Sequence, residues 1–220
     1  MAQSVAIEEK FNSVEEVFSE LYGHAPRVPN PFTSAEMAEL SATDELLVHV
    51  PSDISAAEMC RRFDIPCNVD FDHERMIRSI MVKEDQWFLT SAKATPEMIN
   101  QSGVKARRVY EDEGLHGLDL RRYLAFAATY RYYNGTLPDQ TYWTFLLSGS
   151  YDRSGVSVIG FDKHGVLSHH GWMKNFRAKF CGSRYAVIAP RIEITPDTVD
   201  LPRARRGDRA RAGQEAGLDS

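Results

Sequence analysis

In the N-terminal third, apolar residues recur at helical spacing, and each run follows a capping signal. Ser13 and Glu16 form a capping-box pattern, and the apolar positions after them share one helix face as far as Gly23. Further capping boxes begin at Thr33 and Ser55, each before a short apolar run. The pattern predicts three short helices in this part of the chain.

The rest of the chain has one long helical pattern followed by strand patterns. Residues 118–133 carry the widest apolar stripe, and the Asn-Gly that follows ends it. A shorter helix is predicted from Thr95, as its cap, to Gly103. Short apolar runs indicate strands at 45–50, 76–82 and 86–91 and in four segments between residues 141 and 189. This order predicts an α+β fold with a largely antiparallel sheet, built from the C-terminal strands, and helices packed on one face.

The composition divides the chain into three parts. Residues 1–44 are predicted to be an N-terminal helical segment, and 45–201 an α+β globular domain. From Pro202 the large apolar residues cease, apart from Leu218, and five arginines appear. Such a segment buries too little surface to offset its ordering entropy, so 202–220 is predicted to be a disordered Arg-rich tail.

Charge and cysteine content narrow the classes of partner. The net charge is −5 and the isoelectric point is about 5.8, neither of which favours a nucleic-acid or membrane surface. No apolar run has the length of a membrane span, and the N-terminal residues lack the pattern of a secretory signal. Three cysteines make a sparse, odd set that indicates a reducing compartment. We therefore expect a cytoplasmic protein without a membrane partner.

The sequence does not identify the partner, which is either a macromolecule or a small ligand. The Arg-rich tail offers a contact for nucleic acid, but a merely solvated tail is the favoured interpretation. A homodimer is also left open.

Polar residues concentrate in the segment 161–176, which contains three histidines. Asp162 and Gly165 stand where a type I turn with a left-handed glycine needs them, so a hairpin explains both. His164 would then lie at the exposed tip. His169 and His170 are adjacent on a predicted strand, where neighbouring side chains point to opposite faces.

The same segment also supports an enzyme hypothesis, a small hydrolase or transferase. Its candidate catalytic residues are His164, His169, His170, Cys181 and Asp162. Lys179 and Arg184 could lower the pKa of the Cys181 thiol and activate it. The competing interpretation makes Cys181 a small buried core residue. The two differ in whether Cys181 or Asp162 reaches a histidine.

Motifs for metals and nucleotide cofactors are missing from the sequence. It contains no HExxH, no CxxC pair, no GxGxxG and no GxxxxGK[ST]. We predict no metal site and no cofactor.

Aromatic and basic residues alternate in "WMKNFRAKF", a pattern that suits phosphates or stacked bases. It also fits an element whose aromatic residues are buried at i, i+4 and i+8. The candidate binding residues are Asp152, Arg153, Trp172, Lys174 and Arg177. Since no complete catalytic constellation is evident, the sequence favours a binding or regulatory protein with its surface in this region.

The segments "LLVHVPSDISAAEM", "EGLHGLDLRRYLAF" and "FLLSGSYDRSGVSVIGFDKHG" followed by "GW" resemble an uncharacterised bacterial domain-of-unknown-function family. The resemblance covers about residues 45–189 and departs from the family pattern between 168 and 183. The matching positions are Gly149, Ser150, Asp152, Arg153, Gly171 and Trp172. It bears on the fold and implies no activity.

Overall fold

Helices and strands occur in groups along the chain. The computed structural model describes residues 14–69, 71, 85–151 and 155–189. The helices in these ranges are α1 (Val14–Tyr22), α2 (Ser34–Ser41), α3 (Ala56–Arg62), α4 (Gly103–Asp112) and α5 (Leu120–Asn134). The strands are β1 (Glu45–Val50), β2 (Gln86–Ser91), β3 (His116–Gly117), β4 (Trp143–Tyr151), β5 (Gly155–Phe161), β6 (Leu167–Met173), β7 (Cys181–Ser183) and β8 (Tyr185–Ile188).

The helix starts follow the predicted caps. Thr33 Oγ1 accepts a hydrogen bond from the Glu36 amide at 3.3 Å, and the Glu36 carboxylate accepts one from the Thr33 amide at 2.7 Å. Ser55 caps α3 by accepting from the Glu58 amide at 3.2 Å. These bonds satisfy amides that a helix start leaves without partners, so both predicted caps are confirmed. The predicted cap at Ser13 lies outside the described residues.

The strands form two four-stranded sheets. The first has the order β1-β2-β8-β3 and is antiparallel throughout. The second has the order β6-β5-β4-β7, in which only the β4–β7 pair is parallel. The predicted α+β class with largely antiparallel pairing is confirmed, with the C-terminal strands divided between two sheets.

Helix α5 lies at the centre of the fold. Its residues from Leu120 to Tyr130 are all buried, which is the pattern of a helix enclosed on every side. It contacts β1, α1 and α3, and its Tyr123 ring stacks on Phe161 of the second sheet. The main apolar core therefore joins the first sheet, the helices and one face of the second sheet.

A smaller core covers the other face of the second sheet. Ala106 and Tyr110 of α4 pack there against Phe145 of β4 and Val158 of β5. Trp143, Trp172 and Phe176 are partly buried and pack against this smaller core.

One predicted helix is wrong. The segment after Thr95 is not helical, because Glu97 pairs with Ser183 through two backbone hydrogen bonds of 2.9 and 2.8 Å. The helix instead begins at Gly103, where the prediction ended it, with Ser102 as its cap.

Several predictions fall outside the described residues. They are the strand at 76–82, the disordered tail at 202–220 and the parts of the proposed domain boundaries that lie beyond residue 189. The division into 1–44, 45–201 and 202–220 stays a prediction.

Candidate functional site

The turn at residues 162–165 accounts for Asp162. Its Oδ1 accepts hydrogen bonds from the amides of His164 at 2.8 Å and Val166 at 2.9 Å. Gly165 has φ +76°, the left-handed conformation expected for this turn. The bond from the Val166 amide is the main cause that lowers the pKa of Asp162. Asp162 therefore shapes the hairpin, and His164 lies exposed at its tip.

The two adjacent histidines lie on opposite faces of β6. The His169 ring contacts Tyr151 at a centroid distance of 5.6 Å, whereas His170 contacts Trp143 at 5.2 Å. Burial lowers the pKa of His169 to about 4, while His170 is exposed. The structure therefore does not bring these two side chains together.

Cys181 lies in β7, which is the edge strand opposite β6 in the second sheet. Three strand spacings separate the two strands, or about 14 Å at roughly 4.8 Å each. Cys181 is fully buried, and burial raises its pKa to about 12. Lys179 and Arg184 do not activate this thiol, because burial is the main cause of the shift and the opposing contribution comes from the Gly182 amide. Cys181 forms no pair with His169 or His170.

The predicted binding residues are divided by what the structure describes. Trp172 is half-buried, and Lys174 and Arg177 are exposed. Asp152 and Arg153 lie outside the described residues. The structure thus brings Trp172 and Lys174 together at the end of β6, and Arg177 follows in the loop before β7.

Five rings in this region are linked by a chain of ring contacts. Trp172 contacts Trp143 at 5.6 Å, Phe176 at 4.6 Å and Phe180 at 6.3 Å between centroids, and Trp143 also contacts His170. The register explains why β4 contributes to this group. His170 lies two strands across the sheet from Phe145 and on the same face. Trp143 is two positions before Phe145 in β4, so it shares that face, and it pairs with Cys181 of β7.

Three cations border these rings. Lys174, Arg177 and Lys179 are exposed, and none of them forms an ion pair with a residue that the structure describes. The sequence from residue 163 to residue 189 contains no Asp or Glu, although the whole chain carries −5. We call the five rings and three cations the aromatic–basic surface: Trp143, His170, Trp172, Phe176, Phe180, Lys174, Arg177 and Lys179.

A shallow groove of about 550 Å³ runs along one side of this surface. Its walls include Tyr151, Trp172, Lys174 and Phe176. Gly171 allows the Tyr151 ring to lie against β6, because a Cβ at residue 171 would be 1.7 Å from Tyr151 Cδ1. The Tyr151 ring and the exposed Lys174 therefore both line this groove.

Sequence reasoning missed a buried ion pair. Arg184 and Asp139 are both fully buried and joined by two hydrogen bonds, of 2.7 Å from Nη2 and 3.1 Å from Nε. Tyr123 and Thr144 donate to the same Asp139 carboxylate at 3.1 and 2.7 Å. With its hydrogen-bonding groups satisfied and no exposure, this group stabilises the fold and is closed to ligands.

His49 is a second buried polar residue, enclosed by aromatic rings and close to one carboxylate. Its ring contacts Phe18, Tyr22 and Trp87, and its Nε2 lies 3.6 Å from Asp85 Oδ2. Burial lowers the pKa of His49 to about 4, although Asp85 opposes the shift. Only a regular strand pattern marked this region in the sequence, so nothing local indicated the contact.

The described residues give no sign of a metal site or a membrane span. No group of three or more His, Cys, Asp and Glu side chains among them is arranged to hold a metal ion. No helix among them is long and apolar enough to cross a membrane. No protein-family model, curated protein or solved structure matches this chain.

Proposed function

We propose that this protein is a binding module that recognises an anionic partner through the aromatic–basic surface. The observation that carries the proposal is the contact chain of five rings beside three exposed cations that have no ion-pair partner among the described residues. Aromatic residues and arginine are enriched in recognition surfaces, and exposed cations beside such rings complement a partner of opposite charge. The proposal includes no reaction of its own.

The distribution of charge supports an anionic partner. In a chain of net charge −5, the 19 residues 171–189 contain the three cations of the surface and no Asp or Glu, so this part of the chain favours an anionic partner. The rings would supply most of the affinity once the partner is bound, and the cations would guide its approach. A cytoplasmic location stays a prediction, supported by three cysteines that are all free thiols.

Two charge reversals at opposite ends of β6 test this proposal. Lys174→Glu changes the surface, and Lys163→Glu changes the exposed turn before the strand by the same charge. Retention of the full chain on immobilised dextran sulfate should need less salt for elution after Lys174→Glu than after Lys163→Glu. The Arg-rich tail is present in both variants and contributes equally. Equal elution of the two variants would contradict the proposal.

A further inference from the structure

We infer that the anionic partner is a single-stranded nucleic acid whose bases stack on the rings of the aromatic–basic surface. This inference rests on the proposed function and names its ligand class. It uses the arrangement of the rings, which a merely electrostatic contact would not require.

The rings offer stacking positions at both ends of their contact chain. Phe180 is 47% exposed and lies nearly perpendicular to the Trp172 ring, so about half of this side chain is accessible to a ligand. His170 is exposed at the opposite end and is supported by Trp143. Unpaired bases stack on such rings without regard to sequence, because every base has a flat face.

The cations are placed where a backbone beside the stacked bases would run. Lys174 lies in the groove wall with Trp172 and Phe176, and its carbonyl accepts a hydrogen bond from the Val104 amide at 3.3 Å. That contact brings the first turn of α4, with the exposed Lys105, next to the loop. Phosphates spaced along a strand could therefore meet cations from both segments.

A duplex fits this surface less well than a single strand. Paired bases are already stacked on each other and cannot lie on protein rings without leaving the helix. An acidic peptide would meet the cations but would leave the open ring of Phe180 without a matching planar group. The geometry therefore favours unpaired bases over both alternatives.

The experiment measures fluorescence anisotropy of a labelled 12-nucleotide oligothymidine with the full chain at low and moderate salt. Phe180→Ala should weaken binding by about 5- to 150-fold, the range measured for loss of one stacking ring. Lys174→Glu should weaken it and flatten its salt dependence. Two matched controls should bind as the unchanged protein does: Lys163→Glu, and Tyr132→Ala, which removes a 43% exposed ring on α5.

Four results would overturn the inference, and three of them compare affinities. A duplex of the same length could bind as tightly, Phe180→Ala could leave the affinity unchanged, or a poly-glutamate peptide could displace the oligonucleotide at lower concentration. The last result would keep the proposed function and change the ligand. Absence of binding to oligothymidine with normal retention on dextran sulfate would also reject only the ligand class, whereas equal retention of Lys174→Glu and Lys163→Glu would reject the proposed function.

Discussion

Arg184 and Asp139 form a buried bidentate ion pair, in which Nη2 lies 2.7 Å from one carboxylate oxygen and Nε 3.1 Å from the other. The guanidinium also donates to the carbonyls of Ser91 and Lys93 and lies 4.3 Å from the centroid of the Phe126 ring. Because these contacts reach the first sheet, α5 and the loop before β4, the pair ties together segments that are distant in sequence.

Removing Arg184 should therefore destabilise the protein strongly. Arg184→Met leaves the Asp139 carboxylate buried without its cation, which costs about 3–5 kcal/mol. Urea unfolding measures the change. Arg61→Met, at an arginine whose side chain is 74% exposed, should change stability by no more than about 0.5 kcal/mol. Equal stability of the two variants would show that the pair does not hold the fold together.

Acid should destabilise the protein through His49. Burial holds its folded-state pKa at about 4, below the ordinary value of 6.5, so the unfolded chain binds the proton more readily. Stability is therefore highest above about pH 6.5 and falls as the pH drops towards 4, by about 2 kcal/mol between about pH 7 and pH 5. Urea unfolding at these two pH values measures the loss.

His49→Phe isolates this effect, because a phenyl ring suits a site between Phe18, Tyr22 and Trp87. The variant should lose less stability on acidification than the unchanged protein. His169, with a pKa also lowered to about 4, accounts for part of what remains. An unchanged pH slope after His49→Phe would contradict the assignment.

The three thiols should react in an order set by burial. Cys60 and Cys181 are buried and burial raises the pKa of both, whereas Cys67 is only partly buried. Iodoacetamide near neutral pH should label Cys67 first, since the thiolate is the reactive form. Peptide mass spectrometry measures the order. Rapid labelling of Cys181 in the folded protein would instead support the hydrolase or transferase hypothesis.

A methyl group at residue 171 should displace the Tyr151 ring from the groove. Gly171→Ala places a Cβ 1.7 Å from Tyr151 Cδ1, an overlap that costs about 1–3 kcal/mol. Tyr151→Ala removes the clash, so Gly171→Ala should cost less stability in the Tyr151→Ala variant than in the unchanged protein. Additive losses in this double-mutant cycle would show that the two residues are not in contact.

Local signals in the sequence predicted much of the fold. The caps at Thr33 and Ser55 and the turn at 162–165 depend on residues within a few positions of each other, so their patterns are readable. The predicted helix after Thr95 failed because Glu97 pairs with Ser183, far along the chain, and no local pattern records that contact.

The candidate site was only half predictable for the same reason. Trp172 and Lys174 were identified from their own segment, but Trp143 joins them through the register of the second sheet. Arg184 looked like a charge able to activate Cys181, whereas its partner Asp139 is 45 positions away. Pairing across the sheets decides both cases.

The three tryptophans allow the most direct test of the aromatic–basic surface. Trp143 and Trp172 belong to it, while Trp87 is 3% exposed in the first sheet, where its indole donates to the Val28 carbonyl at 2.8 Å. The measurement is the indole region of a ¹⁵N–¹H correlation spectrum during titration with oligothymidine. The account predicts that the Trp143 and Trp172 signals shift together while Trp87 stays in place. Shifts confined to Trp87, or binding that moves none of the three signals, would contradict it.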